Sequence, residues 1–261
     1  MVCYFIPLVS GHFKTFSDPE NSFWCCVGSG MENHAKYGKN IYQHAGDTLY
    51  ANLFIPSELN WEEKGIRVIQ KTNFPREPST SFSLETGAPV TFSLKVRRPQ
   101  WVAEGYAVTV NAEEIQVDED AAYATITREW NSGDEVTVAL PMDFRLVLLG
   151  DDPNTAAIKY GPILLGGKLG RERMDQEPIP YAGFKGFDGR WDHRRYEDMP
   201  TVDAPSLRVG SRDPADWIKP VSGQALTFQT EGVGVPADVE LAPFYTVDHQ
   251  RYAVYWNLMD N

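Results

Sequence analysis

The stretch from Ser22 to His34, SFWCCVGSGMENH, sets Cys25 and Cys26 side by side. A disulfide between neighbours closes a strained small ring and restricts almost none of the unfolded chain, so the pair points to other thiol chemistry. As thiolates the two sulfurs bind a soft or borderline cation, zinc first among them. A closed zinc site takes four ligands. Cys3, His12, Glu32, His34 and His44 lie near in sequence, at spacings that match no finger or ribbon. The other reading is burial, because an unbridged cysteine is among the most buried residue types. Spacing alone leaves both readings open.

Other groups with chemical capacity have plainer readings. Glu32 and His34 could face a ligand, yet an acidic residue early in a helix is favoured by the helix dipole whatever its function. Glu113-Glu114 and Asp151-Asp152 are paired carboxylates in turn-like sequence and read as solvated charge. Trp101, Trp130, Trp191 and Trp217 could stack on sugar faces, with core packing the simpler use. His193, in RWDHRRY, sits in a basic patch that reads as a solvated loop or a docking surface.

The elements that must position these groups follow from periodicity. Residues 28–43 carry Met31, Ala35, Ile41 and Tyr42 at helical spacing, with Ser29 or Gly30 as cap and Gly46 as stop. After that the pattern alternates, predicting strands at 48–55, 90–96, 106–111, 122–127 and 135–140. Asn111-Ala112 falls where a tight hairpin turn belongs. The apolar run AAIKYGPILLGG (156–167) predicts one strand buried on both faces. Residues 171–205 read as a long excursion, and strands resume at 225–230 and within 239–258. The fold class is mainly β: two β-sandwich, jelly-roll-like domains after a single helix. The divisions are 1–41, 42–150 and 151–261. A lone amphipathic helix needs a partner for its stripe, so the chain reads as the tail of a larger protein whose sandwiches do not depend on the N-terminal segment.

Composition narrows the partners. A formal net charge of -12 over 261 residues argues against nucleic acid and against an anionic membrane surface, both bound through clustered Lys and Arg. No run reaches membrane-spanning length, and the apolar start lacks the basic region of a signal peptide. Three cysteines make no disulfide framework. Compartment and oligomeric state stay open, with self-association through an uncovered helix face one outcome.

Four stretches together, FWCCVGSGMENHAKYG (23–38), LYANLFIPSELNW (49–61), AIKYGPILLGG (157–167) and LAPFYTVDHQRYAVYWN (241–257), resemble glycoside hydrolase family 127 and especially its relative family 146, the β-L-arabinofuranosidases. The resemblance implies an (α/α)6 barrel, of which the helix would be a remnant, followed by β-sandwiches. It implies an arabinose-containing glycan as substrate, Cys25 as the nucleophile of a retaining hydrolysis, and zinc held by Cys26 together with Cys25. A metal-bound thiolate can replace the carboxylate that usually attacks the sugar. The family completes its zinc shell with an upstream Glu-x-Cys and takes its acid/base from another upstream glutamate. Here no Glu-x-Cys precedes Cys25, and Asp18 and Glu20 are the only acidic residues before it. The expectation is therefore weak or absent zinc and no catalysis by this chain alone. The competing reading is a non-catalytic sandwich module for binding carbohydrate or another subunit.

Overall fold

The computed structural model describes residues 3, 6–14, 16, 25–118, 120–174 and 200–260, with the side chains of 25–27 excepted. A short strand, β1 (His12–Phe13), is followed by the helix α1 (Cys25–Ile41). The helix begins three residues before the expected start, so Gly28, Ser29 and Gly30 lie within it rather than capping it, and it gives way to a strand at Tyr42 instead of running on toward Gly46. Glycine costs about 1 kcal/mol per position in a helix interior, which made a later start the natural reading. Of the expected stripe, Ile41 is buried and Tyr42 packs on the core, whereas Met31 and Ala35 are exposed.

One compact unit comprises residues 33–143. Its strands are β2 (Tyr42–Ala45), β3 (Thr48–Ala51), β4 (Ser57–Trp61), β5 (Ile66–Lys71), β6 (Ser79–Thr86), β7 (Val90–Arg97), β8 (Ala107–Val110), β9 (Glu113–Glu114), β10 (Tyr123–Trp130) and β11 (Glu135–Ala139). They form a four-stranded sheet, β10-β7-β3-β2, and a six-stranded sheet, β4-β5-β6-β11-β8-β9. Alternation puts Leu49, Phe92, Leu94, Val96, Ile126 and Trp130 of the first sheet against Ile66, Val68, Phe82, Leu84, Val136 and Val138 of the second. This is a β-sandwich, with the apolar residues of both inner faces making one core. The expected hairpin is present: Asn111 and Ala112 have φ of 53° and 67°, the pair of positive values a two-residue turn of that hand requires.

The other compact unit joins residues 1–32 to 144–261. Its remaining strands are β12 (Phe144–Leu148), β13 (Thr155–Tyr160), β14 (Ile163–Lys168), β15 (Ser206–Arg208), β16 (Ile218–Pro220), β17 (Phe228–Thr230), β18 (Gly234–Val235), β19 (Glu240–Pro243), β20 (Arg251–Ala253) and β21 (Tyr255–Met259), with a one-turn helix α2 (Pro214–Trp217) before β16. β12 pairs along its whole length with β13, so the change of unit falls at 143/144 rather than at 150. The run 156–167 is two strands, because Gly161 at φ 52° and Pro162 turn the chain back into the β13-β14 hairpin. The Gly-Pro punctuation carried that signal. β14 pairs with β13, then β19, then β20 along its length, as strands do where a sheet bends over into a second layer. Ile158, Leu165, Leu207, Trp217, Leu241 and Trp256 fill the core.

The N-terminal segment is integral to this second sandwich. β1 pairs with β20, His12 opposite Tyr252. The Tyr252 hydroxyl donates to the Pro7 carbonyl at 2.6 Å, and the Ser10 hydroxyl to the Tyr255 carbonyl at 3.0 Å. Gly11, at φ +80°, lies so close to Val202 that a Cβ there would sit 1.7 Å from its carbonyl oxygen. The structure thus groups with this sandwich part of the segment 1–41 that the sequence sets apart. A strand too short to show a period cannot be read from sequence.

Candidate functional site

Cys25 and Cys26 open α1. Their side chains lie outside the described residues, as do Trp191 and His193. The backbone of the cysteine pair lies in the first turn of this 17-residue helix, which carries no acidic residue there.

The other ligand candidates are placed as follows. Cys3 is half-buried. Lys14 is buried, donates to the Phe244 carbonyl and stands 4.1 Å from the centre of the Phe244 ring. Burial pushes its ammonium down, with Cys3 and Asp248 pulling the other way. His12 is buried in β1, where its Nδ1 accepts the Phe13 N–H at 2.8 Å. Glu32 and His34 are exposed on α1, the latter edge-on to Tyr37 with ring centres 5.6 Å apart. His44, on β2, lies against Trp61 at 5.5 Å. Among the described residues no three His, Cys, Asp or Glu side chains come together to hold a metal.

The remaining candidates are structural. Glu113 and Glu114 are exposed on a hairpin. Asp152 caps its own turn, accepting from the Asn154 N–H at 3.0 Å and the Thr155 hydroxyl at 2.6 Å, and these bonds hold its carboxyl below the usual range. Trp130 is fully buried with its indole N–H on the Phe92 carbonyl at 3.1 Å, Trp217 is core, and Trp101 stacks on Phe74. Burial takes Trp130 and Trp217 out of reach of a sugar, and Trp101 is half-buried.

One residue escaped the sequence reading. Arg251 is fully buried, and its guanidinium donates to the carbonyls of Glu172 at 2.5 Å, Gly11 at 2.7 Å and Arg173 at 2.7 Å. It also stands 5.3 Å from the centre of the Phe13 ring. Burial pushes the guanidinium down, Arg173 adds to that and Glu172 opposes it. The signal was a lone cation inside an apolar, aromatic strand, a position that demands partners.

Three family models match the chain in order. "Beta-L-arabinofuranosidase, GH127 catalytic domain" covers residues 1–39, "Beta-L-arabinofuranosidase, GH127 middle domain" covers 48–142, and a domain of unknown function covers 145–258. Among curated proteins nothing matches. Similar solved structures include a GH127 β-L-arabinofuranosidase from Geobacillus stearothermophilus T6, 17% identical over 90% of this chain and 37% of that one, with a TM-score of 0.62. A glycoside hydrolase is 19% identical over 91% and 40%, TM-score 0.62. A GH127 β-arabinofuranosidase is 21% identical over 84% and 36%, TM-score 0.54. At these identities the likeness is one of fold. The chain spans about two fifths of the length of these structures.

Proposed function

This chain belongs to the GH127 family of β-L-arabinofuranosidases, and from that premise we propose that it carries the nucleophile-bearing end of a retaining β-L-arabinofuranosidase together with the two β domains that follow. Cys25 is the nucleophile: its thiolate attacks the anomeric carbon of a terminal β-L-arabinofuranosyl unit, the glycosidic oxygen leaves with a proton from a general acid, and water then releases the sugar. The observation that carries the reading is that the catalytic-domain match, residues 1–39, contains the Cys25-Cys26 pair at the start of α1. The glycan substrate follows from the family alone.

Cys26 and Cys25 act in this proposal as two thiolate ligands of zinc, half of a closed shell. Two thiolates are only half of such a shell, so the chain alone holds the metal weakly. Dialysis against a mild chelator leaves well below one zinc per chain; a retained full equivalent would overturn this. The general acid has no counterpart before Cys25 beyond Asp18 and Glu20, and losing one member of a cooperating set costs orders of magnitude in rate. The 261-residue chain therefore releases no product from an aryl β-L-arabinofuranoside. Turnover that disappears in Cys25→Ala would show that the site is complete after all.

A further inference from the structure

On the outer face of the first sandwich, the β5-β6 loop overhangs a cleft of about 600 Å³. Register places Lys71 of β5, Ser81 of β6 and Thr137 of β11 in one row across three strands, with Glu135 two residues from Thr137 on the same face. Strands stand about 4.8 Å apart, so the row spans about 10 Å. The loop contributes Asn73 and Glu77 to the lining.

The loop is held before any ligand arrives. The Thr72 hydroxyl donates to the Ser79 carbonyl at 2.8 Å and accepts the Phe74 N–H at 3.0 Å, and the Asn73 amide donates to Glu77 at 2.9 Å. Phe74 is stacked on Trp101 and edge-on to Phe54. Gln70, 2% exposed, borders the cleft and is fixed by Thr80 at 3.0 Å and by the Tyr42 hydroxyl at 3.2 Å. By contrast, among the described residues the side chains of Lys71, Ser81, Glu135 and Thr137 make no hydrogen bond or ion pair within the protein. A preformed rim thus surrounds polar groups whose bonding capacity faces outward.

We infer that this cleft is a binding site for a neutral saccharide chain. Hydroxyls, an amide, two carboxylates and one ammonium offer donors and acceptors in alternation, the complement of a polyhydroxylated ligand. One cation beside two carboxylates disfavours a phosphate or other anion, and the lining holds no large apolar side chain to take a hydrophobic one. The site goes beyond the Cys25 reading and does not depend on it.

The test is a titration of the full chain with a neutral arabino-oligosaccharide, followed by ligand-observed NMR, with inorganic phosphate in parallel. Saturable sugar binding in the millimolar range is expected. Thr137→Val, which keeps a strand-favouring residue at an exposed position, and Asn73→Ala should each weaken it about tenfold or more. Thr127→Val, on the outer face of the other sheet, should leave it unchanged. No saturation up to about 10 mM, binding that survives both cleft variants, or saturation by phosphate in place of sugar would each overturn the inference.

Discussion

The first sandwich draws both of its sheets from one uninterrupted run, 33–143, whereas the second is completed by a strand from the far end of the chain. In the first, the core is apolar on both inner faces, and its buried polar groups, such as Gln70 and Thr80, satisfy one another near its rim. In the second, a fully buried cation ties together residues 240 positions apart. Contiguity lets the first unit rely mainly on burial, worth roughly 25 cal/mol per Å² of apolar surface, and its buried charge, Asp134, ties only neighbouring turns through Asn111 and Asn131. The second must spend a charged hydrogen-bonding hub to hold its sequence-distant piece, since ordering that segment has its own entropy cost.

Trp130→Ala tests the burial side of this contrast. It should cost about 3–5 kcal/mol, and hydrogen exchange should show the loss in β7 and β10 with the second unit unchanged. Loss spread over both units would erase the distinction. Arg251→Met keeps most of the side-chain volume but removes the donors to the Glu172 and Arg173 carbonyls and one of the two donors to that of Gly11, at a cost of about 2–4 kcal/mol. Its signature is long-range: residues 11–13 and β20 lose protection together, and protection retained at 11–13 would mean that strand pairing alone holds the segment.

A smaller effect in the second unit is its dependence on pH. Asp238, in the second, accepts the N–H groups of Gly232 at 2.7 Å, Gly234 at 2.8 Å and Val233 at 3.1 Å, and the Thr230 hydroxyl at 3.1 Å. Partial burial raises its pKa, but these bonds outweigh it and hold the carboxyl below its usual value. A depressed folded pKa contributes stability above the unfolded value of about 3.9, and that stability is lost as pH falls through the folded pKa. Asp238→Asn should therefore destabilise near neutrality by on the order of 1 kcal/mol, solvent exposure limiting the effect, and its difference from the parent should vanish in acid. A difference constant with pH would refute the ionic origin. The smallest change is a gain. Ala112→Gly relieves a left-handed alanine and should stabilise the first unit by up to about 1 kcal/mol; a lower melting temperature would show that Ala112 is not strained.

How much of this was legible in sequence depended on range. Alternation exposed β7, β10 and β11, and Asn111-Ala112 marked its turn, because these signals lie within a few residues of each other. β5 and β6 alternate just as well, IRVIQK and STSFSLET, but were passed over between turn-rich stretches. β1 has two residues and β20 three, too few for any period, and their pairing is decided by Arg251 and Gly11 at a distance no window spans. The cysteine pair was visible as chemistry, yet its place in the first helical turn was hidden by three residues, Gly28 to Gly30, that usually stand outside helices. The cleft could not be seen at all: Lys71, Ser81 and Thr137 become neighbours only through register.

The β1-β20 pairing also sets an order of events during synthesis. Gly11 and Phe13 leave the ribosome about 240 residues before Arg251 is made, and at 5–20 residues per second that gap lasts on the order of ten to fifty seconds. The first sandwich, encoded in between, can close during the wait. The strand β1 cannot pair until then, and for that interval Phe13, buried in the finished fold, lacks the strands that cover it.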